Sequence, residues 1–285
     1  MLQRRSSPSG KETRRTYYPP LIQAQSFTAW DQFRAADATP IYPQRAMEFG
    51  PLISRGVTGG AAYNGDIHTK VIMVVNLFDV DAYPWNADWY SARVKESLGD
   101  RYDDNFRVWY NDNADHISPA RTPRLVQYDG LLQQALRDVS AWAEKGVAPA
   151  RSTNYEVVDG QVKVPAKAAM RQGIQPVVDL TVNGTAKIDI TAGQTVTFIA
   201  RIQVPQGSGK IVATEWDFAG TGDFKAWKFG APRQTANISM TFKYTKPGTY
   251  FPAVRVTSQR EGDTKTAFAL IQNLGRVRVV VHKKM

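Results

Sequence analysis

The chain has no cysteine and only three histidines among its 285 residues. The first absence excludes disulfides, thiolate nucleophiles, zinc–cysteine sites and iron–sulfur clusters, and leaves the redox compartment undetermined. The second leaves His68, His116 and His282 far apart, with no H-E-x-x-H pair among them. No metal and no cofactor are therefore expected. No apolar run approaches the roughly 18 residues that cross a bilayer, and M-L-Q-R-R-S-S-P-S-G-K-E-T-R-R-T lacks the apolar centre of a signal peptide. Neither a membrane span nor an export signal is expected.

What is present is unevenly charged. The net charge of +10 divides into +4 over residues 1–16, −2 over 17–175 and +8 over 176–285. Basic ends of this kind attract polyanions such as nucleic acid or anionic polysaccharide. The aromatics do not cluster with the Lys and Arg residues as a base-stacking platform requires, which argues against nucleic acid. A solvated basic surface is the plainer reading.

Residues 1–16 have the composition of a disordered basic tail. From Tyr17 to Gly65 Pro and Gly recur, and apart from a short helix predicted at Phe27 to Ala35 the stretch reads as loop. Regular structure begins at Lys70 with K-V-I-M-V-V-N-L-F, a β-branched run of the kind buried on both faces of a parallel sheet. It exits into D-V-D-A-Y-P-W. The next segment, N-A-D-W-Y-S-A-R-V-K-E-S-L-G, places Tyr90, Val94 and Leu98 on one helical face and stops at Gly99. A second strand, Phe106 to Tyr110, runs into N-D-N-A-D-H. Then G-L-L-Q-Q-A-L-R-D-V-S-A-W-A-E-K-G aligns Leu132, Ala135, Leu136, Val139, Trp142 and Ala143 before Gly146. Strand, acidic loop, helix, strand, histidine loop, helix is the order of parallel strands joined by crossover helices. Two strands do not make a stable sheet alone, and an exposed parallel edge suits a partner chain.

Between Pro149 and Pro176, Y-E-V-V-D-G-Q-V-K-V predicts a hairpin turning at Asp159-Gly160, followed by a short helix at Ala166 to Gln172. From Val177 the period becomes two: Val196, Phe198, Ala200, Ile202 and Val204 alternate with mostly polar partners. Short alternating strands separated by turns predict an antiparallel β-sandwich. The organisation expected is thus a tail (1–16), a partial α/β segment (17–148), a linker with a hairpin (149–175) and a sandwich (176–285).

Within that last region W-D-F-A-G-T-G-D-F (216–224) and F-K-Y-T-K-P-G-T-Y-F-P-A-V-R-V-T (242–257) resemble the PKD domain, an immunoglobulin-like module. The resemblance spans about Pro176 to His282, with Ala219 and Thr221 where the family often has Gly and Asp, and with Pro252 interrupting the last paired strand. It implies Trp216 packed between sheets, a turn at Pro247-Gly248, and a module that contacts polysaccharide or protein, more often in exported or surface proteins. Asp217 and Asp223 in a Gly-containing loop would suit calcium, but too few oxygen ligands accompany them. G-S-G-K (207–210) imitates a phosphate-binding loop, yet Val204 and Ile211 stand where its first Gly and its Ser/Thr belong, so a hairpin turn is expected.

The middle segment resembles the last third of an α/β-hydrolase, in which an acid follows a late parallel strand and a histidine follows the final one. The resemblance implies a partial α/β-hydrolase sheet with crossover helices, joined to an all-β immunoglobulin-like sandwich. It assigns His116 as base and Asp79 as its acid, with Asp81 as the alternative; Asp79 lies nearer the strand end. A carboxylate there fixes the imidazole tautomer and stabilises its cation while the ring takes a proton from a serine. Tyr83, Trp85 and Trp89 would line a pocket, or simply pack in the core. Asp115 could equally be a local partner of a solvated His116. No serine here sits in the family's G-x-S-x-G turn, and the oxyanion loop is missing, so the chain alone cannot perform acyl transfer. The nucleophile is expected from sequence N-terminal to Met1 or from a partner chain. The rival expectation is a binding or spacer protein acting through the sandwich.

Overall fold

The structure, a computed structural model, describes residues 63–118 and 122–284 together with positions 35, 37, 39 and 41. The basic tail, all but Ala35 of the helix expected at Phe27 to Ala35, and nearly all of the loop after Tyr17 lie outside the described residues. Residues Gly65–Met285, which include both the α/β segment and the sandwich, form one compact unit.

Strand β1 (Val71–Asn76) leads through the acidic turn into helix α1 (Pro84–Leu98), and after a 3-10 turn (Gly99–Arg101) and the single-turn α2 (Tyr102–Asn105) strand β2 (Phe106–Asn111) follows. β2 lies parallel to β1 in register, from Val71 opposite Phe106 to Asn76 opposite Asn111. Pro84, in the first turn of α1, suits a position whose N–H has no helical partner. Helix α3 (Asp129–Lys145) ends at Gly146, whose left-handed backbone (φ 69°) lets its N–H reach the carbonyls of Ala141 and Trp142.

The period of two sorts the strand side chains between two layers. Val71, Met73, Val75, Phe106, Val108 and Tyr110 meet Ala87, Val94 and Leu98 of α1. Ile72, Val74 and Trp109 meet Leu131 and Ala135 of α3. A helix therefore covers each face, as crossover topology requires.

Two expectations need correction here. β1 is half-buried along its whole length, while β2 is fully buried. The second edge of β2 is covered by residues 151–153, where the amides of Val108 and Tyr110 reach the Ser152 and Thr153 hydroxyls and Thr153 donates to the Val108 carbonyl. The second edge of β1 pairs with none of the described strands. The buried stripe of α3 is also rotated: Leu131, Gln134, Ala135 and Trp142 are buried, whereas Leu132 and Leu136 are exposed. The helix packs on the sandwich as well as on the sheet, and Ile271 belongs to its core.

Strands β3 (Glu156–Val158) and β4 (Gln161–Lys163) form the expected hairpin, with Asp159 and Gly160 at φ 51° and 78°. Both central residues having positive φ is the two-residue turn whose twist matches paired strands. The short α4 (Ala168–Arg171) precedes the sandwich.

The sandwich holds β5 (Val177–Val182), β6 (Lys187–Thr191), β7 (Thr195–Gln203), β8 (Lys210–Asp217), β9 (Lys225–Trp227), β10 (Thr235–Lys243), β11 (Gly248–Tyr250), β12 (Ala253–Gln259), β13 (Ile271–Arg276) and β14 (Arg278–His282). They run in three ladders, β10-β7-β5, β11-β14-β6 and β13-β12-β8-β9. Trp216, Phe198, Val254, Val256, Val279 and Val281 share one core, with Trp216 stacked on Phe218 at 5.4 Å. The sandwich is not wholly antiparallel, because β6 and β14 pair in parallel. Pro252, which offers no N–H to a ladder, sits where the chain leaves the ladder of β11 for that of β12. Residues 207–210 do not close a hairpin: they carry the chain from β7 to β8, which belong to different ladders, and Ser208 is buried with its hydroxyl donating to the Gly173 carbonyl at 2.8 Å.

Candidate functional site

Parallel strands end at the same edge of their sheet, so the loops after β1 and β2 emerge side by side. Their backbones are tied directly: the Leu77 amide donates to the Asn111 carbonyl and the Phe78 amide to that of Ala114, both at 2.9 Å. Asp79 follows, and its Oδ1 accepts the amides of Asp81 (2.9 Å) and Ala82 (2.7 Å). An aspartate that hydrogen-bonds the backbone two and three residues on holds a tight turn and cannot swing away.

Across from it, His116 places Nδ1 at 3.1 Å from Oδ2 and 3.2 Å from Oδ1 of Asp79. The two residues, 37 positions apart in sequence, are thus in contact. Asp81 is exposed and reaches the pair only through its backbone amide. The side chain of Asp79 is 10% exposed and that of His116 47%, so the acid is enclosed while the imidazole faces outward. Partial burial pushes the Asp79 carboxyl up. The amides of Ala82 and Asp81 and the His116 ring together outweigh it and hold the group below the ordinary carboxylate value.

The histidine backbone is fixed on both sides. Its amide donates to Asp115 Oδ1 at 2.7 Å, and its carbonyl accepts the Tyr128 hydroxyl at 3.0 Å. Asp115 is thus a partner of the His116 main chain, and the imidazole is left to Asp79. With Nδ1 turned to a carboxylate, the neutral ring carries its proton there and keeps the Nε2 lone pair for a proton from outside. This orientation leaves Nε2 without a partner from the Asp79 carboxylate, on a side chain that is 47% exposed.

No described serine contacts the ring; Ser118, two residues on, donates instead to Asp129 at 2.8 Å. Around the pair Phe78, Val80, Tyr83 and Ile117 are exposed. Tyr83 stacks on Trp85 with ring centres 5.8 Å apart and planes within 8° of parallel, and Trp89 is half-buried on α1. Among the described residues no group of three or more His, Asp or Glu side chains could hold a metal ion. Asp217 is fully engaged otherwise: its carboxylate accepts the amides of Ala219, Gly220 and Gly222 at 3.1, 2.8 and 2.7 Å, and Asp223 pairs with Lys225.

Sequence reasoning missed the amide side chains behind the histidine. Asn111 Nδ2 donates to Asn76 Oδ1 at 3.0 Å, and Asn76 Nδ2 to the Asp115 carbonyl at 2.8 Å. A signal existed: each apolar strand closes on an asparagine, an odd choice for a buried strand end. Gln175 and Asn273, which touch the same loop, carry no such local mark.

The PKD domain family model matches residues 179–271, and the sandwich is a PKD domain. No curated protein matched the chain. Among solved structures, the PKD domain of an M14-like peptidase from Thermoplasmatales archaeon SCGC AB-540-F20 is similar at 13% identity and a TM-score of 0.28, covering 38% of this chain and 98% of that one. A CARDB domain from Pyrococcus furiosus, solved with di-metal ions, gives 13%, 0.28, 39% and 98% in the same terms. The fibronectin(III)-like modules of Clostridium thermocellum CbhA give 13%, 0.25, 38% and 100%.

Proposed function

We propose that this chain is the acid- and histidine-bearing C-terminal portion of a serine hydrolase of the α/β-hydrolase kind, with a PKD accessory domain, acting on an ester or amide. The observation that carries the reading is the contact between Asp79 and His116 at the ends of adjacent parallel strands joined by a crossover helix. In this reading Asp79 holds the imidazole in the Nδ1–H form, and His116 Nε2 takes the proton of a serine hydroxyl and returns it to the leaving group. The serine and the oxyanion donors come from sequence N-terminal to this segment or from a partner chain, whose strands would continue the sheet at the second edge of β1. In this reading Tyr83, Trp85 and Trp89, on and before the helix that follows Asp79, line the substrate pocket. An extracellular or cell-surface setting goes with the PKD module by analogy.

The experiment is labelling with a fluorophosphonate probe. The isolated chain is expected to stay unlabelled, and an assembly that adds a G-x-S-x-G strand-to-helix element is expected to label on that serine. His116→Ala should slow labelling of the assembly by about 10³-fold or more. Labelling of a serine in the isolated chain, or an assembly indifferent to His116→Ala, refutes the proposal. The second reading, a non-catalytic module that binds polysaccharide or protein, draws on the PKD match at residues 179–271. It predicts no labelling in either preparation, with retention on an immobilised ligand by the sandwich.

A further inference from the structure

An accessory domain on a tether would touch the catalytic segment little. Here the contact is buried, polar and centred on the histidine loop. Gln175, 2% exposed, accepts the Asp112 amide at 2.8 Å, and the two N–H groups of its Nε2 are shared among Asn111 Oδ1, the Asp112 carbonyl and the Gln272 carbonyl. Gln272 belongs to β13, so this one side chain joins the end of β2 to the sandwich. Two residues on, Asn113 donates to Asn273 Oδ1 at 2.8 Å, and Asn273 donates to the Pro176 carbonyl at 2.7 Å. Asn113 has a left-handed backbone (φ 57°), the conformation asparagine tolerates best after glycine. Leu274 packs in the same place against Ala114, Val126 and Tyr128, and Tyr128 is the residue whose hydroxyl holds the His116 carbonyl.

The bonds form a continuous path: Gln272, Gln175, Asn111, Asn76, Asp115, His116. Amide side chains buried in this way hold their partners tightly, because breaking one bond strands several polar groups away from water.

We infer that the PKD sandwich is a working part of the histidine site, with Gln175, Asn113 and Asn273 as positioning residues that hold the His116 loop against Asp79. The inference takes from the proposed function only that His116 serves as a base. Its test does not depend on a nucleophile.

The test reads the tautomer of His116 by ring ¹⁵N shifts in the whole chain, with His68→Gln and His282→Gln leaving a single histidine. The parent is expected to show the Nδ1–H form imposed by Asp79. Gln175→Met keeps the size and removes every hydrogen bond of the amide. Asn113→Gly keeps the left-handed backbone accessible and removes only the bonds of its side chain, so it carries the test if Gln175→Met does not fold. Each folded variant, verified by circular dichroism, should lose the Nδ1–H signature and revert to the solution mixture in which Nε2–H predominates. Arg260→Ala is the control. It breaks a different contact between α3 and the sandwich, the 2.7 Å bond to Asp138, and should leave the signature intact. A parental signature in the folded variants, or an equal loss in Arg260→Ala, overturns the inference whatever the labelling experiment shows.

Discussion

Gly130→Ala offers a sharp test of how α3 meets the sandwich, because two effects of opposite sign compete. Gly130 is buried in the first turn of α3. In an open helix the exchange would stabilise by up to about 1 kcal/mol, since glycine loses the most backbone entropy on folding. A Cβ at Gly130, however, would stand 1.9 Å from the Leu270 carbonyl oxygen and 2.4 Å from its carbon. Carbon and oxygen normally approach to roughly 3.3 Å, so helix and strand would have to part by more than about 1 Å. Both obstacles are backbone atoms and cannot rotate aside. Parting them opens the core shared by Leu131, Ala135 and Ile271. Overpacking of this kind costs about 1–3 kcal/mol, and the net expectation is destabilisation by about 1–2 kcal/mol. At roughly 2–4 °C per kcal/mol for a unit of this size, Tm should fall by about 2–8 °C in a calorimetric scan. An unchanged or higher Tm would mean that α3 does not lie on the 270 backbone, and the shared core would fall with it.

Two further outcomes can be measured on the same protein. Asp217→Ala strips three partly buried amides of their acceptor and should cost about 1–3 kcal/mol in urea unfolding, whereas millimolar calcium should leave the wild-type midpoint unmoved, because that carboxylate is already occupied by Ala219, Gly220 and Gly222. Asp79 is held below its ordinary value in the folded state, so its stabilising contribution is complete above about pH 4, the unfolded value, and is lost as pH falls through the folded one. The stability difference between wild type and Asp79→Asn should therefore shrink as pH drops below about 4, and a difference that stays constant through that range refutes the assignment.

Local chemistry made much of this legible in advance. The β-branched run at Val71, its exit at Asp79 and the loop ending at His116 are periodic or punctuated segments, and parallel pairing then brings their ends together. Asp159-Gly160 declares its turn through the positive φ that both residues tolerate. Trp216 and the segment Y-T-K-P-G-T-Y (244–250) mark the PKD domain in the same local way. The buried face of α3 keeps Ala135 and Trp142 of the periodic stripe but takes Leu131 in place of Leu132 and Leu136, because it is chosen by two neighbours, the sheet and the backbone at Leu270, and the second lies about 140 positions away in sequence. G-S-G-K joins two ladders where its residues predict a hairpin, because a turn between ladders and a turn within one use the same residues.

The sequence by itself determined the strands and helices around the histidine loop, the hairpin, the identity of the sandwich and an acidic turn able to face His116, because each depends on periodicity, turn chemistry or strand ends that are written locally. Only the tertiary structure decided that Asp79 rather than Asp81 meets the imidazole, and that Gln175 and Asn273 bolt the sandwich to the histidine loop. Those facts depend on which buried amides find partners 63 to 160 residues away. A buried polar group has no preference for sequence neighbours, only a need for a partner, and the folded chain alone supplies it.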